Sequence, residues 1–349
     1  IVLPAEADFS GTTYAITEVG SAFKDNELIT GVTIPEGYTD IGTEAFYGCT
    51  ALKRAEIPGS VNMISTSAFA GCTSLSDVIF ADDTAASLTI NNAAFANCSS
   101  LTSIALPARL SSTRYNFLYG SNALTSITMK PGAQKFAAED NILYKVSDDT
   151  AAMVAYPCGK TETEFTIPAE INGKAVTSTV MHVFRDNPTL KKVTVPATVT
   201  SLGGYTFSGM KAVEEIILEH ETAPEFGSCT FADMAAGSKI IVKNEAVADA
   251  IKAGSNYYTP ANTSIEIGAA QEPKTVSAVV SIAAEPELKD GKAVYGIYLD
   301  SAENVNTILL KAVFDLFAVG KGEITVSNDS FTSGTSAWTE ENGKLVLKA

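Results

Sequence analysis

One stretch constrains this chain more than any other: Ala45-Phe46-Tyr47-Gly48-Cys49-Thr50-Ala51-Leu52-Lys53-Arg54-Ala55-Glu56-Ile57-Pro58. Much of the chain consists of worn copies of it. Ala68-Phe69 leads to Cys72, Leu75, Val78 and Phe80, and Ala94-Phe95 leads to Cys98, Leu101, Ile104, Leu106 and Pro107. Apolar residues return three, six, nine and eleven places after each Phe. The template positions are Phe23, Phe46, Phe69, Phe95, Phe117, Phe184, Phe207 and Phe231, with spacings of 23, 23, 26, 22, 67, 23 and 24. No single unit of this length buries its own apolar face; a stack of them does.

The period predicts the stacking geometry. In Val32-Thr33-Ile34-Pro35 and Val193-Thr194-Val195-Pro196 the apolar residues alternate, so each unit carries a short strand with one face inward. Pro then ends the strand without breaking a central ladder bond. An isolated apolar residue follows, five places before the next Phe: Ile41, Ile64, Ile90 and Leu202. The Ala-Phe pair sits in a return segment expected to hold a short helical or 3₁₀ turn. The predicted fold is a repeat solenoid of the leucine-rich-repeat kind, with parallel strands about 4.8 Å apart.

Residues eight and ten places after the Phe point away from the core and form two columns on the exposed face. The candidate binding residues in these columns are Thr33, Arg54, Glu56, Asp77, Ile79, Ser103, Ser126, Thr128, Lys192, Thr194, Glu215 and Ile217. Ile79 and Ile217 are expected to be exposed apolar residues on a polar sheet, available to a partner. Tyr115, Tyr119 and Tyr144 are further candidates, or fill the broken register between Phe117 and Phe184.

The unit resembles the BspA-type leucine-rich repeat of bacterial surface proteins, which runs roughly I-x-x-x-A-F-x-x-C-x-x-L-x-x-V-x-I-P. Ile41 to Pro58 matches nearly every position, with Ala55 in place of Val. Asn26, Asn187 and Met210 stand where Cys is expected, and Phe117 is followed by a one-residue slip to Leu124. The resemblance covers residues 1–259. It implies an inserted hairpin unit at about 136–168, seen in Asp140-Asn141-Ile142-Leu143-Tyr144 and Met153 to Lys160. It also implies a C-terminal cap at about 239–259.

Composition shifts near Thr259-Pro260, and 260–274 reads as a linker. In 275–349 the period is gone. Short alternating runs such as Val276 to Ile282, Val294 to Leu299, Glu323 to Val326 and Leu345 to Leu347, separated by polar turns, predict a small all-β sandwich-like domain. Its pattern is weakly similar to cohesin-like sandwiches, and about 75 residues is short for one.

The function classes are bounded by what the chain carries. A formal charge of -16 repels nucleic acid and anionic lipid. No apolar run is long enough to span a membrane, and the start at Ile1-Val2-Leu3-Pro4 reads as a processed chain. Cys49, Cys72 and Cys98 share one repeat position and read as small buried thiols. No Cys-x-x-Cys pair, P-loop, nucleophile elbow or dinucleotide fingerprint occurs. The two His, His182 and His220, lie inside repeats. The acidic pairs Asp82-Asp83, Asp148-Asp149, Glu214-Glu215 and Glu340-Glu341 lack the spacing of a calcium loop. The expectation is therefore a monomer without cofactor, metal or catalysis. The resemblance implies an extracellular or cell-surface bacterial protein that adheres to a host or neighbouring-cell protein or glycan. A structural stalk remains open beside that, and so does a glycan-active enzyme using an acidic pair.

Overall fold

A computed structural model describes residues 1–81, 87–254, 258–259 and 261–268, together with the backbone of short strands between residues 280 and 348. The chain divides into two compact units, Ile1–Ala270 and Gln271–Ala349.

The first unit is a solenoid with three walls. One wall is the expected parallel ladder. Gly31–Thr33, Arg54–Ile57 and Asp77–Phe80 pair in parallel with Thr33, Glu56 and Ile79 abreast. Ser103–Leu106 pairs with Ser126–Met129. Glu164–Thr166, Lys192–Val195, Glu215–Leu218, Ser238–Val242 and Thr263–Ile267 continue the pattern. The last strand lies inside the stretch that the sequence reads as linker. Thr263 is buried and Ile265 packs on the core, so alternation at 263–267 closes one more turn.

The second wall is a second parallel ladder, which the sequence does not announce. The isolated residues Ile41, Ile64 and Ile90 belong to strands Asp40–Ile41, Met63–Ile64 and Leu88–Ile90, flanked by Glu18–Val19 and Leu110–Thr113. Past the interruption, Thr150–Ala155, Lys174–Thr179, Ser201–Leu202 and Glu225–Phe226 form its counterpart. Strands of two or three residues leave one or two inward side chains each, too few for alternation to be read.

The third wall is the Ala-Phe return. Only Ser21–Phe23 is 3₁₀. The other returns, apart from that of Phe117 with Asn116 and Gly120, are turns with left-handed residues two places before and two after the Phe, such as Glu44 (φ 56°) and Gly48 (φ 68°), or Tyr205 (φ 57°) and Gly209 (φ 75°). With left- and right-handed residues alternating, every other N–H of the return (Glu44, Phe46, Gly48) points to the next turn, while Ala45 and Tyr47 bond within their own. Each turn therefore donates forward to the next. Phe46 N–H reaches Ala68 O at 2.7 Å, Phe69 reaches Ala94 O at 2.8 Å, and Phe207 reaches Thr230 O at 2.8 Å. The trailing left-handed site is held by Gly, Asn or Asp, which tolerate it. The leading site holds Glu, Ser, Ala, His, Tyr and Cys, each at a cost of about 1–2 kcal/mol that the ladder bonds offset.

Inside, the Phe rings stack. Phe23, Phe46, Phe69 and Phe95 lie 5.1–5.3 Å apart and within 10° of parallel. Phe184, Phe207 and Phe231 repeat this at 5.5 Å. Beside the first stack, each Cys thiol donates to the Phe carbonyl of the turn before it. Cys49 reaches Phe23 O, Cys72 reaches Phe46 O, and Cys98 reaches Phe69 O, at 3.0, 3.1 and 3.3 Å. Ser121 makes the same bond to Phe95 O at 2.8 Å. Asn26 and Asn187 begin their stacks, where no earlier template Phe carbonyl waits. They accept from their own turn instead, Asn187 Oδ1 from Thr189 N–H and Leu190 N–H.

The interruption holds the hairpin Phe136–Glu139 and Ile142–Val146, joined antiparallel to Thr150–Ala155. Tyr144 is 1 % exposed there and fills the gap. Two core clusters meet at this hairpin, Leu143 belonging to one and Tyr144 to the other. Tyr156 stands in the aromatic column, 5.2 Å from Phe184. At the far end, the helix Glu245–Ala253 buries Val247, Ala248 and Ile251 against the last turns, with Asn244 as its N-cap.

In the second unit, Val280–Ile282 pairs antiparallel with Ile297–Leu299, and Glu287–Lys289 with Lys292–Val294. Lys344–Lys348 lies between Val313–Asp315 and Ala337–Glu341. The expected strand at Glu323 to Val326 and the connections that would define a sandwich lie outside the described residues.

Candidate recognition surface

The first ladder brings the predicted residues into two columns, because strands in register place equal offsets side by side. Most of the charges in these columns answer one another. Arg54 Nε donates to Glu56 Oε1 at 2.9 Å and its Nη1 to Asp77 Oδ2 at 2.6 Å. Thr33 Oγ1 donates to Glu56 Oε2 at 2.9 Å. The Thr33 hydroxyl and the Arg54 guanidinium hold the Glu56 carboxyl below its usual range. Across the interruption, the register runs Glu164, Lys192, Glu215, Lys239, so charge alternates from strand to strand. Lys192 lies 4.0 Å from Glu215, and Lys239 lies 3.1 Å from Glu266.

The neutral candidates divide. Ser103 and Thr128 are exposed, while Thr194 is half-buried. Ser126 Oγ is 2.7 Å from Asn141 Oδ1 of the inserted hairpin. Ile79 is half-buried. Ile217 corrects the expectation of an exposed apolar contact: it is 7 % exposed. Thr194 and Ile241 lie abreast of it on either side, and an interior strand is covered by both neighbours.

A cluster unforeseen in the sequence spans the turn wall across the interruption. The Arg185 guanidinium lies 5.3 Å from the Tyr119 ring and 5.4 Å from the Tyr205 ring. Tyr119 Oη donates to Asp186 Oδ2 at 2.6 Å, and His182 stacks on Tyr205 at 5.1 Å. Tyr119 thus ties the turn before the interruption to Arg185 and Asp186 in the turn after it. Tyr115, the other tyrosine considered, is 45 % exposed.

Reactive chemistry is muted. Burial pushes the Cys98 thiol up to about 12 and Cys158 up to about 11, so neither is a thiolate near neutrality. Burial lowers both His182 and His220, the former helped by Arg185. His220 is 3 % exposed, with Nε2 2.8 Å from Val199 O. Among the described residues, no three His, Cys, Asp or Glu side chains converge as ligands for a cation. Asp82-Asp83 lie outside the described residues.

This chain is similar to several solved structures. A solved structure of the pneumococcal vaccine antigen PcpA is 18 % identical, covers 76 % of this chain and 88 % of its own, and superposes with a TM-score of 0.50. A leucine-rich cell surface protein from Faecalibacterium prausnitzii is 21 % identical over 77 % of this chain and 88 % of its own, with a TM-score of 0.46. A leucine-rich repeat protein from Eubacterium ventriosum is 18 % identical over 67 % and 74 %, with a TM-score of 0.46. None of the curated proteins matches this chain. The tail's similarity to cohesin-like sandwiches finds no support, since the family match ends at residue 267. That match, to the BspA type leucine-rich repeat region, comprises six copies over residues 18–143 and 173–267, more than half of the chain. This protein belongs to the BspA-type leucine-rich repeat family.

Proposed function

We propose that this is a bacterial cell-surface recognition protein that binds a protein or glycan through the exposed walls of its solenoid, without catalysis. The carrying observation is the split between constant and variable positions. Phe46, Cys49, Leu52, Ala55 and Ile57 have closely similar buried counterparts in the next turns, while Arg54 and Glu56 give way to Asp77 and Ile79 and then to Ser103 and Ala105. A framework that stays fixed while its outward residues change suits a recognition surface. The surface location is supported by the matched F. prausnitzii protein, described as a cell surface protein. No described helix is long and apolar enough to cross a membrane.

A stalk that presents other domains is the second reading. What favours it is the self-pairing of Arg54 with Glu56 and Asp77, and of Lys239 with Glu266, which leaves those charges already satisfied. Immobilised full chain screened against a glycan array and against extracellular-matrix and mucin proteins separates the two. Saturable binding to one class supports recognition. No ligand above background in any of them leaves the stalk.

A further inference from the structure

We propose that the second ladder carries a binding groove for a carboxylate-bearing saccharide, centred on Arg114. The inference rests on the recognition reading above and names a different wall and a ligand class for it.

The groove is lined by Asn62, Met63, Ser87, Thr89, Asn91 and Arg114, drawn from three adjacent rungs around Met63–Ile64, Leu88–Ile90 and Leu110–Thr113. Its polar side chains are unspent. Among the described residues, Asn62, Ser87, Thr89, Asn91 and Arg114 make no side-chain hydrogen bond or ion pair. The contrast with the first ladder is direct, for there Thr33, Arg54, Glu56 and Asp77 are committed to one another. A ligand on that face must displace internal partners; in this groove it displaces water.

Arginine use elsewhere sharpens the point. Arg54 is held by two carboxylates, Arg109 donates to the carbonyls of Val61 and Pro58, and Arg185 lies between two tyrosine rings. Arg114 is exposed and, among the described residues, has none of these. In a chain of charge -16, a guanidinium left free among neutral side chains is a local site for a carboxylate. The adjoining rung places Asp40 beside Met63, and Asp40 already accepts from the Thr39 hydroxyl at 2.6 Å. Two amides and two hydroxyls offer donors and acceptors together, as sugar hydroxyls require. Met63, 37 % exposed, supplies an apolar contact for a ring face. A carboxylated pyranose meets all of these, its carboxylate at the guanidinium, its hydroxyls at the amides and hydroxyls and its ring face on Met63.

The test is titration calorimetry of the full chain with 3′-sialyllactose, a glucuronate disaccharide and a galacturonate oligomer. Lactose and poly-glutamate serve as the neutral and peptidic controls. The expected result is binding of at least one acidic saccharide that weakens with salt and falls about tenfold or more in Arg114→Ala, the loss of one charge-assisted fork. Lactose and poly-glutamate bind at least as weakly as that variant. Arg114→Lys retains part of the affinity, and the side-chain amide resonances of Asn62 and Asn91 shift on titration. The proposal is overturned by no binding to any of the three acids, by affinity unchanged in Arg114→Ala, or by equal binding of poly-glutamate. Failures of the two readings separate cleanly. Saccharide binding that survives Arg114→Ala but is lost in Arg54→Ala moves the site to the first ladder and leaves the recognition reading intact. Absence of any ligand in this experiment and in the array removes both.

Discussion

The array before the interruption and the array after it solve one packing problem in two ways. Both stack phenylalanines at just over 5 Å and both pass hydrogen bonds forward through their turns. Before the interruption, a column of Cys and Ser ties each turn to the Phe carbonyl of the last. After it, Asn187 closes its own turn and Met210 fills the same position with volume, fully buried. The first array thus answers the earlier Phe carbonyl with a small donor, whereas the later one sets Met210 one turn after Phe184 and fills the position with an apolar side chain. Where no earlier template Phe carbonyl waits, a self-capping amide serves. Both histidines belong to the later array, and the Arg185 cluster joins its turn wall to Tyr119 of the earlier one.

The largest expected effect tests whether the two arrays unfold together. Phe69→Ala leaves a ring-sized hole between two stacked neighbours and should cost about 3–5 kcal/mol in urea unfolding. Phe207→Ala, equally enclosed, should cost about the same by the same rule. If hydrogen exchange shows each substitution loosening only its own side of residue 144, the hairpin is a boundary between cooperative units. If both sides loosen, the arrays are one unit.

Next in size is Asn187→Ala. It strands the N–H groups of Thr189 and Leu190 at a buried site and should cost about 1–3 kcal/mol, read from the urea midpoint. Cys98→Ser is the matched change in the first array. Its hydroxyl can keep the bond to Phe69 O, as Ser121 does one turn on, so it should be milder than Asn187→Ala. The reverse order would sink this account of the column.

The arrays should also part company in acid. The folded-state pKa values of His182 and His220 lie below their ordinary 6.5, so the unfolded chain binds protons more readily than the folded one. The later array should therefore keep full stability above 6.5 and lose it as pH falls below that value. Exchange at pH 7 and pH 5 should show greater loosening near Val199 and Tyr205 than near Phe69. His220→Gln should remove part of that difference.

The smallest effect belongs to the surface. Arg54→Ala removes two exposed ion pairs and should change stability by about 1 kcal/mol or less, and less still in high salt. A larger loss would mean that the first ladder depends on its outward charges.

Much of the fold was legible because the repeat declares its own inward residues. Phe46, Cys49, Leu52 and Ile57 were readable as core from spacing alone, and all are at most 1 % exposed. The outward residues were readable as positions and not as partners. That Arg54 answers Asp77 depends on register between strands 23 residues apart. Ile217 misled for a related reason: sequence gives the direction of a side chain but not how closely Thr194 and Ile241 flank it. The groove around Arg114 left no motif, because its members come from strands of two to four residues in three separate turns.

By itself, then, the sequence determined the period, the inward column and the family, since these follow from local spacing and the need to bury apolar area. Only the tertiary structure decided which polar side chains are spent on one another and which stay free. That depends on what each stacked turn places beside its neighbour. On this protein it separates the self-paired charges around Arg54 from the guanidinium of Arg114, which is unpaired among the described residues.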